Sequence, residues 1–333
     1  MLSQEHIISS LANLHEWMNI TRIPPVVIKN AIKENPWYTV YFIQERLRNI
    51  AMWLDEEKLH QWLEAYSYPP PYINRVGVIA AGNIPLVGIH DVIAVILSGH
   101  QVVVKYSRRD RVLMDWFMNL WFSYLPQLAH QVKIGLEPED KIDILIASGS
   151  NNTARYLQET FSGIQKVIRK HRYSVAVLDS NITEKDIFLL QSDIFLYNGL
   201  GCRNVSNILV EDSFDWERLP YLFKTWGYRM LNPLYVEKVH LQRAKYLTLG
   251  IPFTDGGITL FVEKKHLESS EMGITHVIHG LDEYGVDDAI QTKHMEIQCV
   301  VNKGTDFGMS QYPGVEIFED DIDLLSILTQ TRR

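Results

Sequence analysis

The sequence predicts an α/β protein: an open parallel-sheet domain, a second α/β domain after it, and a helical segment in front of both. Three observations carry this prediction. From Arg75 onward short apolar runs alternate with helix-like runs; three prolines at 69–71 separate this region from the stretch before it; and 46% hydrophobic with 22% charged residues over 333 positions is globular composition, long enough for two domains with their own cores.

Residues 1–66 read as helical, because Tyr41, Phe42, Leu47, Ile50, Leu54, Leu59, Trp62 and Leu63 recur near helical spacing and Asp55 is placed to cap a second segment. Tyr68-Pro69-Pro70-Pro71-Tyr72 cannot continue a helix and marks the transition. The run 75–81 (RVGVIAA) then reads as a strand, Ala81-Gly82-Asn83-Ile84-Pro85 as a turn, 86–97 as a helix ended by Gly99, and 101–105 (QVVVK) as the next strand. A third strand at 141–147 runs into Ser148-Gly149-Ser150 and a helix-like stretch at 151–161. In open parallel sheets ligands sit at the carboxyl ends of the strands, so Ala81–Pro85, Lys105–Arg109 and Ser148–Asn151 are expected to converge. Further strands are expected at 173–179 and 207–212, with the domain division near 175, giving residues 1–175 and 176–333. The acidic stretch 319–325 (EDDIDLL) reads as a solvated helix start.

A formal net charge of −8 repels phosphate backbones and anionic lipid, which argues against nucleic acid as a partner. No basic leader precedes an apolar core at the N-terminus, and no window approaches the roughly 20 apolar residues of a membrane span, so a cytoplasmic protein without an integral membrane segment is expected. Cys202 and Cys299 are the two cysteines and have no CxxC spacing, so neither a disulfide framework nor a zinc site is expected and both thiols should be reduced. Asn-x-Ser/Thr sequons at Asn151, Asn181 and Asn204 read as chance matches.

Cys202 stands in Gly199-Leu200-Gly201-Cys202-Arg203, where two glycines permit a tight backbone and Arg203 favours the attacking thiolate. A small core residue is the plainer alternative for a lone cysteine, and the one that suits Cys299 in its apolar run. Asn83 either caps the helix that follows, with Pro85 at its start, or presents an amide N–H to a developing oxyanion. Lys105, Arg108, Arg109 and Arg111 form a cationic run at the expected ligand edge, suited either to solvent or to the phosphates and ribose of a nucleotide. The G-x-G-x-x-G fingerprint, the G-x-x-x-x-G-K-[ST] loop and the G-x-S-x-G elbow are all absent from the sequence. His276 and His279, among twelve histidines, have no acidic or thiol ligand at a diagnostic offset, so no metal is expected.

Read in order, Gly82-Asn83-Ile84-Pro85, Val103-Val104-Lys105-Tyr106-Ser107, Ala147-Ser148-Gly149-Ser150 and Gly201-Cys202 resemble the aldehyde dehydrogenase superfamily, and more closely its acyl-CoA reductase family, which includes the reductase component of bacterial bioluminescence systems. The likeness runs from about Arg75 to Val210. It implies an aldehyde dehydrogenase-like fold with a nicotinamide-cofactor-binding domain and a catalytic thiol domain, and a homo-oligomer. It makes Cys202 the nucleophile, Asn83 the oxyanion residue, Lys105 the cofactor-ribose lysine and Ser150 the small residue near the cofactor phosphates. Ser107 and Gly149 fall beside them as cofactor-binding positions, and Glu296 aligns loosely with the glutamate on the nicotinamide ribose.

Two departures sharpen the reading. Where hydrolytic aldehyde dehydrogenases carry Glu-Leu-Gly-Gly, this chain has Ile168-Arg169-Lys170-His171-Arg172, so the base that activates water against the thioester is missing. Three residues beyond Lys105, where NAD-preferring members often place a glutamate, stands Arg108, a guanidinium suited to a 2'-phosphate. The expected activity is therefore NADPH-dependent reduction of an acyl-CoA, a fatty acyl-CoA foremost, to the aldehyde through a Cys202 thioester, with NADH as the alternative cofactor. The rival readings are an acyl phosphate or acyl-protein donor, a cysteine acyltransferase without redox activity, and a scaffold protein.

Overall fold

The computed structural model describes residues 2–137, 139–149, 151–223 and 232–329. The chain divides into two compact units, Met1–His171 with Gly314–Arg333, and Arg172–Pro313.

The first unit opens with four helices, α1 (Gln4–Ile20), α2 (Pro25–Glu34), α3 (Val40–Trp53) and α4 (Glu56–Leu63). Polar residues cap them where the chain must turn: Ser3, Thr39 and Asp55 each accept a backbone N–H three residues on, satisfying donors that a helix start leaves open. After the prolines come β1 (Arg75–Ala80), α5 (Ile89–Leu97), β2 (Gln101–Tyr106), α6 (Arg111–Tyr124), β3 (Val132–Ile134), β4 (Ile144–Ser148), α7 (Asn151–Thr160) and β5 (Gln165–Arg169). The strands pair in parallel in the order β3-β2-β1-β4-β5. All nine residues of α5 are buried, which is why that helix is apolar on nearly every side.

The second unit contains β6 (Tyr173–Leu178), α8 (Glu184–Phe195), β7 (Val205–Glu211), α9 (Leu219–Phe223), α10 (Pro233–Leu249), β8 (Thr254–Asp255), β9 (Leu260–Glu263), β10 (Ile274–Leu281), α11 (Glu283–Lys293) and β11 (Ile297–Val301). Its sheet order is β11-β6-β7-β10-β9-β8, parallel except for the short β8–β9 pair. Every residue of β6 is buried, as a strand covered on both faces requires.

The C-terminal stretch departs from expectation. Division at 175 assigned all of 176–333 to one domain, whereas 314–333 return to the first unit, and the acidic stretch leads into a docked helix, α12 (Leu324–Thr329). Leu324, Leu325 and Leu328 are buried in the first unit's core together with Val315 and Phe318. His90 Nε2 donates to the Val315 carbonyl and His100 Nε2 to the Leu328 carbonyl, each at 2.7 Å. The acidic residues occupy the approach and the leucines the buried face, so charge at 319–323 says little about where 324–329 pack. No helix among the described residues is long and apolar enough to cross a membrane.

Candidate active site

Because β1, β2 and β4 are parallel neighbours, the segments after them leave the sheet along one edge. Gly82 and Ser107 meet there: a Cβ on Gly82 would lie 2.5 Å from the Cβ and Oγ of Ser107, so no larger residue fits without displacement. Lys105 stands opposite Ile79 near the end of β2 with an exposed side chain. Ser107 Oγ caps the 3-10 turn Arg108–Asp110 by accepting the Arg109 N–H at 3.2 Å, and Arg108 and Arg109 are exposed on that turn. Gly149 follows β4 and donates its N–H to the Arg169 carbonyl at 3.4 Å. Ser150 lies outside the described residues.

Asn83 is half-buried between β1 and α5, and it is not the cap of that helix. Leu86 has φ 52° and Gly88 φ 84°, so the helical path cannot begin before Ile89, and Gly88 is the N-cap. The helix therefore starts three residues later than the apolar run at 86–97 indicated.

Arg169, in the segment that replaces Glu-Leu-Gly-Gly, ends β5 and is buried in an ion pair, its Nη1 2.7 Å from Oδ2 of Asp91 in the first turn of α5. Burial alone would disfavour the Arg169 cation, but the Asp91 carboxylate more than offsets this and holds the guanidinium pKa above its ordinary value.

In the second unit, α8 runs into a turn where Tyr197, Asn198 and Gly199 successively take the left-handed conformation, with φ of 57°, 59° and 68°. Gly201 to Asn204 then form a tight turn into β7, closed by the Asn204 N–H on the Gly201 carbonyl at 3.1 Å. The buried Asn204 side chain binds the loop from inside. Its Oδ1 accepts the Gly201 N–H at 2.8 Å, while Nδ2 reaches the carbonyls of Asp193, Ile194 and Leu196 at 3.1, 3.2 and 2.8 Å. A chance match to the sequon suits so buried a side chain, and the asparagine two residues after the nucleophile candidate is a loop brace that the sequence reading missed.

Cys202 is half-buried in this turn, and its carbonyl accepts the hydroxyl of fully buried Ser174 at 3.0 Å. Ser174 Oγ in turn accepts the Cys299 N–H at 3.2 Å and lies 3.1 Å from Cys299 Sγ, so half-buried Cys299 packs against a serine on the neighbouring strand. Since β11, β6 and β7 are parallel, Glu296, which immediately precedes β11, and Cys202, which precedes β7, share the amino edge of this sheet. Glu296 is exposed and pairs with Lys293 at 2.8 Å. The Tyr173 hydroxyl is pushed up to about 12 by burial and by Glu296 beside it. His276 is buried and His279 exposed on β10, where His279 pairs with Glu263 at 2.8 Å; a separation of three along a strand turns two side chains to opposite faces. Among the described residues no group of three or more His, Cys, Asp or Glu is placed to hold a metal ion.

Residues 64–219 match the acyl-CoA reductase (LuxC) family. That segment contains Asn83, Lys105, Ser107, Arg108, Gly149 and Cys202, while Glu296 lies beyond it. No curated protein sequence matches the chain. Among solved structures, aldehyde dehydrogenase 21 from Physcomitrella patens, in complex with the reaction product succinate, superposes with a TM-score of 0.68 at 12% identity, over 90% of this chain and 78% of that one. Succinic semialdehyde dehydrogenase from Streptococcus pyogenes, in complex with NADP+, gives 0.64 at 15% identity over 86% and 74%. An NAD-dependent benzaldehyde dehydrogenase from Corynebacterium glutamicum gives 0.66 at 12% over 91% and 77%. The fold is that of the aldehyde dehydrogenases, and the match over residues 64–219 supports an oxidoreductase acting on aldehyde or acyl groups.

Proposed function

We propose that the chain reduces an acyl-CoA, a fatty acyl-CoA foremost, to the aldehyde with NADPH, through a thioester on Cys202. The observation that carries this reading beyond the family match is Arg169. In the segment that replaces the water-activating glutamate of hydrolytic aldehyde dehydrogenases, the chain buries a cation paired with Asp91 at 2.7 Å, leaving that segment without a carboxylate base for hydrolysis. A thioester formed here suits exchange with CoA and reduction.

In the forward direction the Cys202 thiolate attacks the acyl carbonyl carbon, a carbon–sulfur bond forms, and the CoA thiolate leaves. The Asn83 amide and the Cys202 backbone N–H donate to the oxygen that becomes negative in each tetrahedral state. The Asn204 N–H on the Gly201 carbonyl holds the peptide that supplies this second donor, and the Asn204 side chain and the Ser174 hydroxyl hold the peptides on either side of it. The chain's residues suit a nicotinamide dinucleotide: Lys105 and Arg108 are exposed cations at the carboxyl edge of a parallel sheet, and Glu296 is an exposed carboxylate able to accept from a ribose hydroxyl. Ser150 is the small residue assigned beside the phosphates, with Ser107 and Gly149 as neighbouring cofactor-binding positions. When bound, the nicotinamide supplies the hydride that reduces the thioester, after which the aldehyde departs and the Cys202 thiolate is restored.

The test is to mix purified protein with NADPH and a panel of acyl-CoAs, following loss of NADPH absorbance and formation of aldehyde. Wild type should turn over and Cys202→Ala should not. Labelling of Cys202 by acyl-CoA without reduction would point instead to acyl transfer, and turnover only with an acyl phosphate or acyl-protein would change the donor.

A further inference from the structure

The stretch that carries Asn83, Gly82 to Leu86, has no regular secondary structure and ends in a buried leucine with φ 52°. A non-glycine residue in that region is strained and persists only where its surroundings over-determine it. Here buried side chains face alternate peptide groups. Asn35 Nδ2 donates to the Gly82 carbonyl at 3.1 Å, the Tyr38 hydroxyl lies 2.9 Å from the Ile84 carbonyl, and the Leu86 N–H faces the Asp110 carboxyl. Asn35 is fixed in turn by the Trp37 N–H on its Oδ1 at 3.1 Å. All three side chains belong to residues at most 2% exposed, so water does not compete for these contacts.

The Tyr38 hydroxyl has one proton and two acceptors, the Ile84 carbonyl at 2.9 Å and Asp110 Oδ1 at 3.0 Å. If Asp110 is protonated, its carboxyl donates to the Tyr38 oxygen and Tyr38 donates to Ile84. If Asp110 is ionised, the carboxylate draws the Tyr38 proton and the Ile84 carbonyl loses its donor. We propose that Asn35, Tyr38 and Asp110 are positioning residues for Asn83, and that the proton on Asp110 decides whether Tyr38 holds the turn. This rests on the reductase reading of Asn83.

The groups facing Asp110 are Tyr38 before α3, Arg46 on α3, Glu34 at the end of α2, Tyr106 on β2 and the Leu86 N–H; its chain neighbours Arg109 and Arg111 are exposed. Burial is the largest influence and pushes Asp110 up to about 8, against the Leu86 N–H, Tyr38 and Arg46, which favour the anion. The switch in hydrogen bonding therefore falls near neutral to mildly alkaline pH.

The experiment measures kcat, KM for NADPH and melting temperature from about pH 6 to 9 for wild type, Tyr38→Phe and Asp110→Asn. A small displacement of a catalytic donor can cost up to about 100-fold, so Tyr38→Phe should lose roughly 10- to 100-fold in kcat at pH 7 with KM for NADPH unchanged. Wild-type kcat should fall above about pH 8, and Asp110→Asn, neutral throughout, should abolish that fall. Tyr38→Phe with wild-type kcat and pH profile, or Asp110→Asn with the alkaline fall intact, overturns the proposal. If wild type reduces no acyl-CoA, the reductase reading fails separately, and hydrogen exchange at residues 82–88 then reads the brace. Faster exchange in Tyr38→Phe than in wild type at equal pH supports it, and equal exchange overturns it.

Discussion

Asp110 and Asp193 are carboxyls at 1% and 0% exposure, and burial raises them from 3.8 to about 8 and about 6. Asp193 keeps two backbone donors, the N–H groups of Gly308 and Ser310 at 2.7 and 2.9 Å, which favour its anion against burial. In each case the folded chain holds a proton that the unfolded chain releases near 3.8, so these groups lower stability progressively as pH rises from that value, and the loss levels off at its full size above the folded pKa. Asp110→Asn removes the penalty, and its melting temperature should gain on wild type by more at pH 8 than at pH 5. Among the site residues, Asn83→Ala should remain folded by circular dichroism while losing about 100- to 1,000-fold in turnover, the usual effect of removing one oxyanion donor. Asn204→Ala leaves the Gly201 N–H and three carbonyls without their side-chain partner. It should cost about 1–3 kcal/mol in denaturant unfolding and change the alkylation rate of Cys202, a rate that stays constant if the loop is held by other means.

A buried ion pair ties the end of β5 to the first turn of α5. Asp91→Ala would strand the Arg169 cation in a buried site, for a cost of about 3–5 kcal/mol, whereas replacing both partners with apolar residues of similar volume should be close to neutral. Denaturant melts of the two variants separate these outcomes. The α12 segment is held by its leucines and by the His100–Leu328 contact, so Leu325→Asp should lower the melting temperature of the first unit even though the change adds charge to an already acidic tail.

For the whole molecule, the prediction that follows from the reductase reading concerns the cofactor. Arg108→Glu should shift preference from NADPH toward NADH in the ratio of kcat/KM, and an unchanged ratio would remove Arg108 from the binding site. The alternation of strand, small-residue turn and helix from Arg75 to about 161 determined the first sheet's central strands and the turn that bears Asn83, because local periodicity and glycine placement dictate such units. Edge strands were less legible: β3 is three residues long and β5 reads Gln-Lys-Val-Ile-Arg, patterns that a loop could also show. Cys202 stood out through its glycines, but Asn204, Ser174, Asn35 and Tyr38 did not, since each acts on a backbone group brought to it by folding. The return of 314–333 to the first unit and the pairing of Arg169 with Asp91, 78 residues apart in the chain, were likewise decided only in three dimensions. Sequence determines local conformation through short-range sterics and hydrophobic period; which buried donor meets which distant acceptor depends on packing between elements, and a linear pattern does not encode it.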